Sequence, residues 1–322
     1  MSSLAQIMHD LGYKVTGSDK ADHFFTEVGL VEKGIEFTTF NKDNLKEGMI
    51  VVQGNAFNDE HEEVARAKEL GLTIYTYQEM IAQITNETKL IGISGCHGKT
   101  TTTTMMSKVL ENVGVNYLIG DGTGYAKQGN EYFALEACEF KRHFLAYSPY
   151  YAVVTNIELD HTDYYKDLDD IMDAYQDYVN RTRKAVVMCG DDENCRKIKT
   201  DKELMYYGFN EDNDVVVKNI KLNGEETIAD VYIKGEYYDT YTFPFVGDHL
   251  LLNVLSVITV CYLEGIDKEE VKRQVAKIEH AKRRFIEEKF KSNILIDDYA
   301  HHPTEVRVTI EAAKKKYPDR KV

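Results

Sequence analysis

The segment that most limits how this chain can fold is Gly95-Cys96-His97-Gly98-Lys99-Thr100-Thr101, set between the apolar run 89–94 and a helical stretch that reaches about residue 113. A strand that ends in a glycine-rich turn and enters a helix aims several backbone N–H groups at one spot, with the helix N-terminus behind them. That spot suits phosphate oxygens. In such a loop Lys99 reaches the β- and γ-phosphates of a nucleoside triphosphate, and the Thr100 hydroxyl ligates Mg²⁺. The first glycine stands three residues before Gly98, where the usual pattern has five, so this is a shortened phosphate loop.

The rest of the chain reads as an α/β protein of several domains. Leu4, Ile7, Met8 and Leu11 recur at helical spacing, and Gly12 can cap the end. A short strand over 14–17 leads to Ser18-Asp19, where the acid of a Rossmann-type βαβ unit binds a ribose hydroxyl. The strand and glycine turn that open such a unit would precede Met1, so the sequence reads as shortened at its N-terminus. Strands over 49–53 and 72–75 alternate with helices over 60–70 and 77–84, and the polar stretch 85–88 closes a first, Rossmann-like domain, 1–88. A central P-loop ATPase-type α/β domain, 89–288, follows, with strands over 132–137, 151–155 and 185–189 and a helix over 168–179. From 204 to 246 the pattern turns to period-two segments separated by Asn-Gly and Lys-Gly turns, which predicts a small antiparallel β insertion. Helices over 248–263 and 268–278 come next. A further βα unit, strand 293–296 and helix 303–316, begins a third Rossmann-like α/β domain over 289–322.

Composition removes several classes of function. The net charge of −15 leaves no basic stripe to displace counterions, which argues against a nucleic-acid partner. No apolar run approaches about 18 residues, so no membrane span is predicted, and the first residues lack the pattern of a signal peptide. The five cysteines are odd in number and scattered, which gives neither a disulfide framework nor zinc spacing and fits a reducing cytoplasm.

Two acidic motifs fall at strand ends on the side of the glycine loop. These are Glu136-Ala137-Cys138-Glu139 and Thr155-Asn156-Ile157-Glu158-Leu159-Asp160-His161. Ligands of open α/β sheets lie beyond the carboxyl ends of the strands, so Glu136 and His161 can converge on bound phosphates and share Mg²⁺ with them.

Taken together, these motifs resemble the Mur ligase family. The resemblance extends to Gly17-Ser18-Asp19, Arg142-His143-Phe144, Arg283-Arg284-Phe285 and Asp297-Asp298-Tyr299-Ala300-His301-His302-Pro303-Thr304-Glu305. The last of these is most similar to the branch that adds L-alanine to UDP-N-acetylmuramate. The resemblance implies three domains, for the UDP-sugar, for ATP and for the amino acid. It implies Mg²⁺ at Glu136 and His161, Asn253 at the adenine and Arg284 on the phosphates. It also implies Asp298 at the ATP ribose, His301 near the incoming amino acid and Asp19 toward the UDP end. The implied reaction transfers the γ-phosphate of ATP to a carboxylate, and an amine then displaces phosphate from the acyl phosphate. Electrostatics and positioning carry such chemistry, so no nucleophilic side chain is expected.

Some features depart from the pattern. Leu250 stands where an adenine-side asparagine is usual, and Cys138 where an acid is common. The pyrophosphate loop and most of the amino-acid domain are expected outside 1–322, which predicts weak or absent turnover. Rival readings are the branch that joins a whole tripeptide to the same sugar nucleotide, and a non-catalytic nucleotide-binding remnant. Folylpolyglutamate synthase shares the fold and ATP site, but the Asp-Asp-Tyr-Ala-His-His segment argues against it. Lys282, Arg283 and Arg284 read as a phosphate-facing patch. His302 and the tyrosine-rich strands over 206–241 receive no role.

Overall fold

The computed structural model describes residues 1–22, 24–279 and 285–321. Before residue 89 the chain forms α1 (Ser2–Asp10), β1 (Thr16–Asp19), α2 (Val28–Glu32), β2 (Glu36–Thr39), β3 (Ile50–Gln53), α3 (Glu62–Glu69), β4 (Thr73–Thr76) and α4 (Tyr77–Thr85). β1 pairs in parallel with β2, and β3 with β4, each pair in the Rossmann-like manner. A capping box starts α4: the Glu79 N–H donates to Thr76 Oγ1 at 3.2 Å and the Thr76 N–H donates to the Glu79 carboxylate at 2.8 Å. Such a cap contributes about 1 kcal/mol and fixes where the helix begins.

The central unit runs β5 (Lys89–Ser94), α5 (Lys99–Val109), β6 (Val115–Leu118), β7 (Gly124–Tyr125), β8 (Tyr132–Glu136), β9 (Tyr151–Val154), α6 (Leu168–Asn180) and β10 (Ala185–Cys189). It continues with β11 (Glu203–Gly208), β12 (Val215–Asn223), β13 (Glu226–Ile233), β14 (Glu236–Phe243), α7 (Asp248–Glu264) and α8 (Lys268–Val275). Among the described residues ten strands join one sheet, in the order β14-β13-β12-β11-β10-β9-β5-β8-β6-β7. Pairing is parallel from β6 across to β12. β7, β13 and β14 are antiparallel to their neighbours.

The antiparallel region is narrower than the period-two pattern predicts. β11 is parallel to both β10 and β12, and only β12 to β14 form the antiparallel addition. Alternation reports that one strand face is buried, not the direction of its partner. Direction is set by the connections. Lys234 and Gly235, both at positive φ, make the tight turn between β13 and β14, whereas the chain leaves the sheet between β10 and β11. A last unit has β15 (Ile286–Phe290), β16 (Asn293–Asp297) and α9 (Pro303–Lys316). β15, absent from the sequence reading, pairs antiparallel with β16.

Both faces of the sheet are covered, as a parallel sheet requires. Ile91 and Ile93 of β5 point into one core with Met105 and Met106 of α5 and Val254 and Val257 of α7. Leu90 points into the other, with Ile171 and Tyr175 of α6, Met80 and Ile81 of α4, and Leu4 and Ile7 of α1. Thus α1 packs on the central sheet as well as on its own unit, and Ser3 Oγ donates to the Ile119 carbonyl at 3.2 Å.

The amino edge of the sheet is tied by one carboxylate. Glu264, 4% exposed, accepts from Lys89 Nζ at 2.8 Å, Tyr132 Oη at 2.8 Å and Tyr151 Oη at 3.1 Å. Burial alone would raise its pKa, but Lys89 and the two hydroxyls hold it below the ordinary value. Its contribution to stability is therefore full above the unfolded-state value of about 4.3 and is lost as pH falls through the folded-state value. Glu264→Ala is expected to lower the unfolding free energy by about 2–3 kcal/mol at neutral pH. In urea titrations the gap from wild type should narrow below about pH 4.

Candidate functional site

The site grows from the end of β5. Gly95 has φ 138°, and a Cβ there would lie 2.0 Å from Thr155 Oγ1, so only glycine fits beneath the end of β9. Gly98 has φ 83° and is the N-cap of α5, with no side-chain cap bond. A Cβ on it would lie 2.7 Å from Asn253 Oδ1, which places that asparagine of α7 against the loop. The residues after β9 hold the loop's shape. Asn156 Oδ1 accepts from the His97 N–H at 2.9 Å and Asn156 Nδ2 donates to the His97 carbonyl at 2.9 Å, while Thr155 Oγ1 donates to the same carbonyl at 2.5 Å.

The carboxyl ends of β5, β8 and β9 lie side by side, and their side chains meet there. Lys99 Nζ donates to the carbonyls of Gly95 at 2.5 Å and Cys96 at 3.1 Å, and to Glu139 Oε1 at 3.0 Å. Thr100 Oγ1 donates to Glu136 Oε1 at 3.1 Å, and the Gly120 N–H donates to Glu136 Oε2 at 2.8 Å. His161 Nε2 lies 3.4 Å from Glu139 Oε1. The Glu139 side chain has no exposure, and its Oε2 has no hydrogen-bond partner among the described residues. Glu139, Asp160 and His161 each offer one ligand atom within 4.8 Å of the others. His161 itself has φ 50°, a conformation uncommon for a side-chain-bearing residue, fixed by its N–H on Asp160 Oδ1 at 2.7 Å.

Charge in this cluster is divided unevenly. Burial pushes the Glu136 carboxyl above its ordinary value, against Lys99 and its two hydrogen bonds. Burial acts upward on Glu139 as well, but Lys99 and His161 outweigh it and hold the group ionised below the usual range. The hydrogen bond to Glu139 raises the His161 imidazole, against its own burial. Burial works to lower the Lys99 ammonium, yet the Glu139 carboxylate and its neighbours keep it raised. Burial pushes the thiols of Cys96 and Cys138 up to about 12 and about 11, so neither is an activated nucleophile.

Lys99, Thr100, Glu136 and His161 are therefore brought together, with Gly95, Cys96, His97, Gly98 and Thr101 forming the loop and the first turn of α5. His161 sits on Glu139 rather than on Glu136. Asp19 lies elsewhere, exposed at the end of β1, where its Oδ1 accepts from the Lys20 N–H at 2.8 Å. Asp298 accepts backbone N–H groups from Phe285 at 2.9 Å and Ala300 at 2.8 Å. His301 is exposed, with Nδ1 3.3 Å from Glu305 Oε2. Arg284, with Lys282 and Arg283, lies outside the described residues.

Sequence reasoning missed Glu139, Asn156 and Asp160 as members of the site. The only available signal for Glu139 was its spacing three residues after Glu136. His302, given no role from the sequence, packs against His97 with ring centroids 4.3 Å apart.

Residues 93–261 match the Mur ligase middle domain, and residues 1–89 match the Mur ligase family catalytic domain. The chain superimposes on the UDP-N-acetylmuramate-alanine ligase of Thermotoga maritima with TM-score 0.84 and 25% identity, over 100% of this chain and 76% of that one. A murein peptide ligase from Psychrobacter arcticus gives TM-score 0.78 at 24% identity, over 99% and 75% of the two chains. The UDP-N-acetylmuramate:L-alanyl-gamma-D-glutamyl-meso-diaminopimelate ligase of Neisseria meningitides gives 0.75 at 23%, over 88% and 96%. The latter two likenesses concern the fold alone.

Glu139→Gln removes the carboxylate charge whose hydrogen bond raises the His161 imidazole. In metal-free protein an NMR titration should find the His161 pKa above about 6.5 in wild type and clearly lower in the variant. An unchanged value would separate the two groups in solution.

Proposed function

Because the chain belongs to the Mur ligase family, we propose that it joins L-alanine to the carboxylate of UDP-N-acetylmuramate, with cleavage of ATP to ADP and phosphate. The observation that carries this reading is the meeting of Lys99, Thr100, Glu136, Glu139 and His161 around a glycine loop at the start of α5. The likeness to the Thermotoga alanine ligase over the whole chain supports the choice of substrate. The proposed division is a sugar-nucleotide part, 1–88, an ATP part, 89–288, and an amino-acid part, 289–322.

A carboxylate is a poor acyl donor until an oxygen becomes a good leaving group. Its oxygen attacks the γ-phosphorus of ATP, the bond to the β-phosphate oxygen breaks, and ADP leaves an acyl phosphate. The amine of alanine adds to the acyl carbon, loses a proton, and phosphate departs as the amide forms. The chain's task is to hold three anionic groups together and to offset the charge that gathers on the transferring phosphoryl group. Lys99 does this at fixed charge by exchanging the Gly95 and Cys96 carbonyls for phosphate oxygens while Glu139 stays beside it. The N–H groups at the start of α5 serve the same anion. Thr100 and Glu136 offer the oxygen donors that a hard cation takes, and with His161 they would hold Mg²⁺, which when bound draws electron density from the phosphate oxygens. Asn253 stands against the loop where the adenine would enter. Asp298, His301, Arg284 and Asp19 are assigned the ribose, the amine, the phosphates and the sugar nucleotide on family resemblance.

A second reading, with a tripeptide in place of alanine, draws on the fold likeness to the murein peptide ligases. Calorimetry with Mg²⁺ and ATP, followed by phosphate release on adding the substrates, tests both. Lys99→Ala is expected to weaken ATP binding at least tenfold and, where wild-type phosphate release is measurable, to lower it by roughly 10²–10³. Release should require UDP-N-acetylmuramate together with alanine. Release with the tripeptide alone would transfer the assignment to the second reading, and wild-type ATP affinity in Lys99→Ala would remove the nucleotide site from this loop.

A further inference from the structure

The backbone of His97 shapes the glycine loop, but its ring faces a second cluster that the ligation chemistry does not use. The ring is 11% exposed and lies between two carboxylates, with Nε2 3.4 Å from Glu158 Oε2 and Nδ1 3.4 Å from Glu305 Oε1. The His302 ring stacks on it, tilted by 36°, and His302 Nδ1 is 3.7 Å from the same Glu158 oxygen. Thr304 Oγ1 donates to both Glu158 oxygens, at 3.0 and 3.3 Å. One ligand atom each from His97, Glu158 and His302 lies within 4.8 Å of the other two.

The composition and spacing of this cluster are those of a metal site, since imidazole nitrogens and a carboxylate oxygen are common zinc ligands. With an ion on Nε2 of His97, Glu305, 3.4 Å from Nδ1, would accept the proton of that nitrogen. This is the carboxylate–histidine arrangement that orients metal ligands elsewhere. His302 Nδ1 accepts the Thr304 N–H over a long 3.3 Å, a contact that an ion on that nitrogen would replace. Ligand spacings of 3.4 and 3.7 Å are near the roughly 3.3 Å edges of a tetrahedron with bonds of about 2.0–2.1 Å.

We propose that His97, Glu158 and His302 bind one divalent transition-metal ion of the Zn²⁺ class, separate from the Mg²⁺ position assigned to Thr100, Glu136 and His161. Two nitrogen donors and one oxygen donor favour zinc-like ions over magnesium, and three protein ligands leave a fourth position for water. Two of the ligands follow β5 and β9, and the third is the N-cap of α9. The ion therefore fastens the last unit to the glycine loop.

The test uses the full chain stripped of metal. Titration with Co²⁺ should give saturable visible absorption of four-coordinate character at one equivalent, displaced by Zn²⁺ and not by millimolar Mg²⁺. His302→Asn, which keeps a competent helix cap, and Glu158→Gln should each weaken Co²⁺ binding at least tenfold, with circular dichroism confirming the fold. Glu136→Gln should leave the Co²⁺ affinity unchanged, which separates this site from the ATP-linked cation. The proposal is overturned if no one-to-one binding is found. Binding that survives both substitutions in folded protein, or is lost in Glu136→Gln, also overturns it.

Discussion

A carboxylate without solvent exposure organises the carboxyl edge of the central sheet. Glu139 is ionised in the interior, and removing a charge of that size from water costs several kcal/mol unless partners are fixed beside it. Lys99 and His161 are those partners, and Tyr165 Oη holds the Glu139 backbone carbonyl at 2.5 Å. Each group needs the others, because a buried ammonium without Glu139 would be equally unfavourable. The loop after β5, the turn after β8 and the turn after β9 are thereby set by one electrostatic balance. This explains how short loops of ordinary composition can hold reacting groups without a dense framework of side-chain packing.

The two edges of the sheet handle buried charge differently. At the amino edge both Glu264 oxygens accept hydrogen bonds, from Lys89 and two tyrosine hydroxyls. At the carboxyl edge Glu139 retains an oxygen without a hydrogen-bond partner among the described residues, and Lys99 spends two of its bonds on loop carbonyls that a ligand can replace. Polar groups left with exchangeable or missing partners mark where binding free energy is available.

Much of the fold was legible because the periodic segments are long and well bounded. The strand over 89–94 and the helix that begins at residue 168 are found where the pattern places them. Some short elements were not legible, although the short strands over 49–53 and 72–75 were. β2 is a four-residue strand with largely exposed residues, and β15 sets three consecutive charged residues between Ile286 and Phe290, which breaks the period-two pattern. The glycine turn between β5 and α5 lies where the motif places it, because glycine, lysine and threonine at fixed offsets express local backbone requirements. His302 could not be read this way. Its place beside His97 depends on how α9 packs more than 200 residues along the chain, and no local spacing encodes that. Glu139 lies between these cases: its position was visible, but its burial was set by the tertiary fold.

The strand order also carries a consequence for assembly. β5 lies between β8 and β9, which are translated after it, and the loop that follows β5 takes its shape from Thr155 and Asn156. A nascent chain that has released β5 and α5 holds every residue of the phosphate-loop motif but not the loop. Contacts of such long sequence separation form late, because chain closure entropy must be overcome first. The capacity to hold phosphate is thus a property of the completed sheet rather than of the motif. A ligand captured by that loop selects chains whose central sheet has closed and draws the folding equilibrium toward them.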